Sequence, residues 1–197
     1  MTRTIAWVIF TLFFHHTLSA QDSLSNYTSP KFQSIELKLG VAPLLLAAKL
    51  LRPSIGVTYQ YNILKGISAI SYTESIFAKE TSDYIKYNEY FLLQAFGIGV
   101  TRGKKRFNNS LFLLGGGRYY YSKATVNDIT FDNSTYKTSL IYPELGLLYT
   151  IKIGKRKIYF TGQFYLPIAP IQLLKGFDRF VETTLSFGVG YKIKSKK

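Results

Sequence analysis

Hydrophobicity along this chain has a period of two, and it holds over segments too long for an ordinary soluble strand. Residues 181–193 show it best. Val181, Thr183, Leu185, Phe187, Val189, Tyr191 and Ile193 alternate there with Glu182, Thr184, Ser186, Gly188, Gly190 and Lys192. Residues 32–41 set Ile35, Leu37, Leu39 and Val41 against Glu36, Lys38 and Gly40, and residues 54–63 set Ile55, Val57, Tyr59, Tyr61 and Ile63 against Gly56, Thr58, Gln60 and Asn62. Side chains of a strand alternate between the two faces of its sheet, so each segment reads as a strand with one apolar face and one small or polar face. Five further segments, 67–77, 88–101, 110–122, 137–151 and 157–166, follow the pattern with faults: Glu74 shares the parity of Ile70, Tyr72 and Ile76, and Gln94 that of Tyr90, Leu92, Phe96, Ile98 and Val100. The result is eight strands of roughly 10–14 residues, where soluble strands run about 5–6 and membrane-crossing strands about 9–11.

The first twenty residues stand apart from this pattern. Arg3 precedes the apolar run Ile5–Phe14, and Thr17-Leu18-Ser19-Ala20 follows as a cleavage site. This reads as a secretory signal peptide; the run is too short for a transmembrane helix. The expected organisation is a signal peptide at 1–20, a flexible lead-in at 21–31, a barrel at 32–194 and a basic tail at 195–197. Both histidines, His15 and His16, leave with the signal, and the chain has no cysteine. Thiol chemistry, Cys/His metal sites and histidine acid–base catalysis are therefore absent from the mature chain, and no disulfides hold it together. No cofactor is expected.

Parity alone allows two barrels, one with apolar residues outward in lipid and one with them inward around a ligand. Strand length, the export signal and the tyrosines near strand ends favour the membrane barrel: all-β, eight-stranded, antiparallel, up-and-down. Tyr119, Tyr120, Tyr121, Tyr136, Tyr142 and Tyr149 are candidates for its interfacial aromatic girdles. Connections two, four and six (64–66, 102–109 and 152–156) are short, and connections one, three, five and seven (42–53, 78–87, 123–136 and 167–179) are long, as in outer-membrane barrels. Both termini then share the short-turn, periplasmic end.

The closing strand carries a family resemblance. Phe187-Gly188-Val189-Gly190-Tyr191-Lys192-Ile193 is similar to the terminal strand of small outer-membrane β-barrel proteins of the OmpX/OmpA-transmembrane type, within the broad outer membrane protein β-barrel domain group. The resemblance spans about 32–194. It implies insertion in outer-membrane lipid and recognition of the last strand by the barrel-assembly machinery, and it implies no catalytic activity. Ile193 stands where an aromatic residue is usual, and Lys194-Ser195-Lys196-Lys197 extends past it.

Three groups of residues are candidate sites. Glu36, Lys38, Glu89, Arg118, Glu144 and Glu182 fall on inward faces; in an interior just wide enough for side chains they form a polar plug, or else an ion path or a carboxylate site. Leu44, Leu45, Leu50, Leu51, Leu173 and Leu174 lie in the apolar first and seventh connections, which flank the closure of the barrel; they form a lid or a site for a protein or lipid partner. Lys65, Arg102, Lys104, Lys105, Arg106, Lys152, Lys155, Arg156 and Lys157, with Lys192, Lys194, Lys196 and Lys197, collect on the short-turn rim without an acid among them. The other charges of the mature chain balance, so the net charge is expected on that rim. Nucleic acid is not an expected partner, because the charge sits on turns of an exported protein.

The expected function is a non-enzymatic integral outer-membrane barrel with a structural, surface-interaction or assembly role. The alternatives are a soluble periplasmic barrel holding a lipid-like ligand and an outer-membrane lipid-modifying enzyme. The first needs apolar residues facing a cavity. The second usually needs a histidine, which the mature chain lacks.

Overall fold

The computed structural model describes residues 32–43, 51–64, 66–81, 85–104, 106–126, 134–154, 157–169 and 183–194. They form eight strands: β1 (Phe32–Pro43), β2 (Leu51–Leu64), β3 (Ile67–Thr81), β4 (Ile85–Lys104), β5 (Phe107–Val126), β6 (Ser134–Ile153), β7 (Ile158–Ala169) and β8 (Thr184–Lys194). Each strand pairs antiparallel with the next, and β8 pairs with β1 to close the barrel. Closure imposes a stagger. Paired residues from Lys38 through Gly56, Glu74, Leu93 and Arg118 lead to Tyr142 on β6. In the other direction, Gly188 and Thr161 lead to Lys152 on the same strand, 10 residues away (152 − 142). Strands of such a barrel tilt by about 40° from its axis.

The apolar faces point outward. Ile35, Leu37, Leu39, Ile55, Val57, Phe96, Ile98, Val100, Phe160 and Phe187 are exposed, while Ser34, Glu36, Lys38, Thr58 and Gln60 on the opposite parity are buried in the lumen. The arrangement with apolar faces around a ligand cavity is therefore not the one this chain adopts. The interior has two sectors. Polar and charged side chains of β1, β2, β7 and β8 fill one. An apolar cluster of Ile70, Tyr72, Leu93, Ala95, Phe112, Leu114, Leu148 and Tyr165, mostly from β3–β6, fills the other.

That cluster explains the irregular reading of β3. Ile70, Tyr72, Glu74 and Ile76 all face inward, and the small polar residues Ser71, Thr73 and Ser75 face outward. Glu74 is thus no fault in a lipid face; it sits on the lumen face of a strand whose inner side is mostly apolar. Gln94 does face outward, where its Oε1 accepts from Thr73 and its Nε2 donates to Ser71 Oγ at 3.3 Å.

Most strands are longer, and most connections shorter, than the hydrophobic pattern suggests; β8 and the seventh connection are the exceptions. β4, β5 and β6 have 20 residues each, against 12 in β1 and β7. The third connection shrinks from the expected 78–87 to 82–84, because β3 and β4 stay paired up to Thr81 and Lys86. At the opposite end the turns are tight. Gly66 closes the β2–β3 turn with φ of 77°, a left-handed conformation that suits glycine, and its carbonyl accepts from Thr101 N at 2.8 Å. Tyr136 is exposed, but two of the expected girdle residues, Tyr120 and Tyr142, are instead buried in the lumen. They belong to an inner aromatic layer with Phe91, Ile76 and Ala42.

Candidate functional site

Buried charge in the lumen is arranged in balanced groups. Glu36 lies at the centre of the first. It pairs with Lys152 and accepts from Tyr159 OH at 2.7 Å, Thr161 Oγ1 at 3.1 Å and Gln163 Nε2 at 2.6 Å. Lys152 Nζ also donates to Gln60 Oε1 at 2.5 Å and to Ser34 Oγ at 3.3 Å. Lys38 donates to Gln163 Oε1 at 2.5 Å and lies 4.0 Å from the centre of the Tyr72 ring. Tyr72 OH and Thr184 Oγ1 both donate to Glu74 Oε2, at 2.7 and 2.9 Å.

Two more groups complete the plug. Arg118 forks onto Glu144, through Nε to Oε2 and through Nη2 to Oε1 at 2.6 Å, and Tyr165 OH donates to the same carboxylate. The Tyr165 ring stacks on Tyr72 across the lumen at 5.4 Å. Toward the longer strand ends, Arg52 Nη2 meets Glu89 Oε2 at 2.7 Å, and the Tyr87 and Tyr120 hydroxyls also reach Glu89. Glycines make room for this layer. A Cβ at Gly190 or Gly146 would come within 3 Å of the Tyr159 or Tyr165 ring, so these tyrosines reach their glutamates only because no side chain stands there.

Of the residues expected in the plug, Glu36, Lys38, Glu89, Arg118 and Glu144 are buried inside the barrel, and Glu182 lies outside the described residues. Glu74, Arg52, Lys152 and the tyrosines complete it and were missed. Glu74 and Arg52 share the inward parity of their strands, but Arg52 falls within the expected first connection, 42–53. Lys152 requires a correction. It was expected on the basic rim, yet it is 2% exposed and paired with Glu36. β6 runs to Ile153 without a break in parity, so Lys152 continues the inward series Glu144, Gly146, Leu148 and Thr150.

On the rim, Arg102, Arg106 and Lys157 are exposed, Lys104 ends β4, and Lys65, Lys105, Lys155 and Arg156 lie outside the described residues. Lys192 is half-buried, with Nζ 5.4 Å from the Tyr159 ring. Among the apolar loop residues, Leu51 begins β2, and Leu44, Leu45, Leu50, Leu173 and Leu174 lie outside the described residues, as does the expected signal and lead-in.

The second notable feature is the outer end of β4–β6. Twenty residues at about 3.3 Å each, tilted by about 40°, rise about 50 Å, roughly twice the apolar band of about 25 Å in such barrels. β3 accompanies β4 up to Thr81, whereas the pairing of β7 with β6 ends at Ala169 and Leu145. Among the described residues, Ser134–Glu144 therefore pair with β5 alone.

No family model matches the chain, and no curated protein matches it in sequence. Solved structures do. Ail, the attachment invasion locus protein of Yersinia pestis, aligns with a TM-score of 0.55 at 15% identity, covering 83% of this chain and 97% of Ail. The same protein in complex with the heparin analogue sucrose octasulfate aligns at 0.54 and 14%, with the same coverage. The chain has the fold of the small outer-membrane β-barrels. The N-terminal β-barrel domain of Pseudomonas aeruginosa OprF aligns at 0.48 with 10% identity, over 83% of this chain and 98% of that domain. In this fold, an exterior of Ile, Leu, Val and Phe is the surface that meets lipid, and closure satisfies every strand edge within the membrane.

Proposed function

We propose that the protein is a non-catalytic integral protein of the bacterial outer membrane, and that the sheet projecting from its outer end does its work by contacting partners at the cell surface. One observation carries this reading: the lumen is filled by paired side chains, while β4, β5 and β6 continue for 20 residues each. A plugged eight-stranded lumen supports the wall without offering a path. The projecting strands exceed what crossing the membrane requires, so the membrane alone does not account for them. Each buried carboxylate of the plug is held by Arg or Lys or by tyrosine and threonine hydroxyls, an arrangement suited to stability. The mature chain has no histidine with which to run the usual lipid-modifying chemistry.

The test is a shortened sheet. Replacing 121–139, whose ends are paired neighbours, with a two-residue Asn-Gly turn keeps every strand long enough to span the membrane. The variant is expected to insert and to retain the mobility shift on boiling in SDS that closed barrels show. It is expected to fail to restore whatever surface phenotype the full-length chain restores in a deletion strain. Full complementation by the shortened chain would contradict the proposal.

A further inference from the structure

The outward face of the projecting sheet carries a row of three lysines and one asparagine. Lys79 on β3 pairs with Asn88 on β4, Asn88 with Lys123 on β5, and Lys123 with Lys137 on β6. All four share the outward parity, opposite to buried Ile76, Glu89, Tyr120 and Tyr142. Lys86 stands one row farther out, between Thr81 and Thr125. With strands about 4.8 Å apart, the row spans about 15 Å. Among the described residues this face, from Phe77 and Ile141 outward, has no carboxylate. Glu89 points into the lumen and is committed to Arg52.

Two further observations indicate what covers this face. Directly below the lysines lies an aromatic ridge, with Phe77 and Tyr90 at 5.3 Å and Tyr90 and Tyr119 at 6.4 Å between ring centres. Such a ridge marks the edge of the apolar band, where aromatic side chains sit at headgroup level. The lysines thus continue the lipid-facing surface by one step outward, into the layer that holds lipid phosphates. In addition, Lys123 and Lys137 are direct cross-strand neighbours. Like charges so placed repel, and a shared anion removes the penalty.

We infer that Lys79, Lys86, Lys123 and Lys137, with Asn88, form a docking surface for the phosphate groups of a phosphorylated glycolipid in the outer leaflet. Ammonium groups bind phosphate as point charges, and basic clusters next to the apolar band draw anionic headgroups to a membrane protein. The inference rests on the outer-membrane placement but not on any partner of the projecting strands.

The test uses the full mature chain, folded in uncharged maltoside micelles and titrated with bis-phosphorylated lipid A or with the same lipid stripped of phosphate. Folding is verified by the SDS mobility shift. Lys79, Lys86 and Lys137 are exposed and Lys123 is half-buried, all on the outward face away from the packed lumen, so the K79Q/K86Q/K123Q/K137Q variant keeps that shift. The wild type is expected to bind the phosphorylated lipid at least about tenfold more tightly than the variant, with the difference shrinking in high salt, and to bind the stripped lipid no better than the variant does. Equal binding of phosphorylated lipid by a folded wild type and a folded variant would overturn the site while leaving the barrel intact. Tight, lysine-dependent binding of a soluble sulfated polysaccharide without lysine-dependent lipid binding would also overturn it, by assigning the row to a soluble polyanion. If the wild type itself shows no mobility shift, the membrane barrel fails, and the site fails with it.

Discussion

Lys152 Nζ reaches Glu36, Gln60, Ser34 and Tyr159 from a single point in the lumen. Removing one partner of a buried ion pair leaves the other charged and poorly solvated, at a cost of about 3–5 kcal/mol, whereas removing both together is often nearly neutral. Lys152→Met should therefore destabilise the barrel by about that amount, and Glu36→Gln in the same chain should restore most of it. Urea titration of the protein in lipid vesicles measures both; additive losses in the double variant would show that the two side chains do not act as a pair. At this scale the sequence was only half legible. Glu36 and Lys38 are recognisable because they sit among small or polar residues of their own parity; Glu89, Arg118 and Glu144 stand out only as charges inside long strands, beside Phe91, Tyr120 and Tyr142 of the same parity. Lys152 is not, because Lys152-Ile153-Gly154-Lys155-Arg156-Lys157 looks like one basic turn. The continued pairing of Lys152 with Asn108 on one side and Thr161 on the other shows that the strand has not yet ended there.

β3 shows how an element can obey the period and still mislead. Its apolar residues Ile70, Tyr72 and Ile76 line the lumen, and Ser71, Thr73 and Ser75 face outward. Period two specifies that a strand has two faces but not which one meets lipid. On β1, β2 and β8 the inward face is marked by Gly, Ser and charged residues. On β3 the apolar sector of the lumen reverses that signal. Two substitutions separate the alternatives. Ser71→Leu adds an apolar side chain to an outward position and is expected to change stability by less than about 1 kcal/mol. Tyr72→Ala removes the ring stacked on Tyr165 and is expected to cost about 3–5 kcal/mol. Urea midpoints in vesicles would read both, and a larger loss at Ser71 than at Tyr72 would mean that β3 faces the other way. The strand ends were also hidden, because beyond the membrane band the outward face turns from apolar to Lys, Thr and Ser. The alternation fades there while the hydrogen-bonded pairing of β4, β5 and β6 continues.

For the whole molecule, the eight strands, their order and the two kinds of chain end could be read from the period and the turn spacing. The distribution of charge could not. Eleven acids are counted in the chain, but Glu36, Glu74, Glu89 and Glu144 lie in the lumen beside Lys38, Arg52, Arg118 and Lys152, so none of the four stands next to the lysines on the outer sheet. The central claim is that one closed sheet presents its apolar parity to lipid and its other parity to a filled lumen. The chain contains no cysteine, so single-cysteine variants can report on single positions. The most direct measurement places a fluorescent label at Ile98→Cys or at Ala95→Cys, three residues apart on β4 but on opposite faces, in vesicles containing a brominated lipid that quenches on contact. Strong quenching at position 98 and little at position 95 is the predicted result. Equal quenching at both, or the reverse order, would contradict the barrel described here.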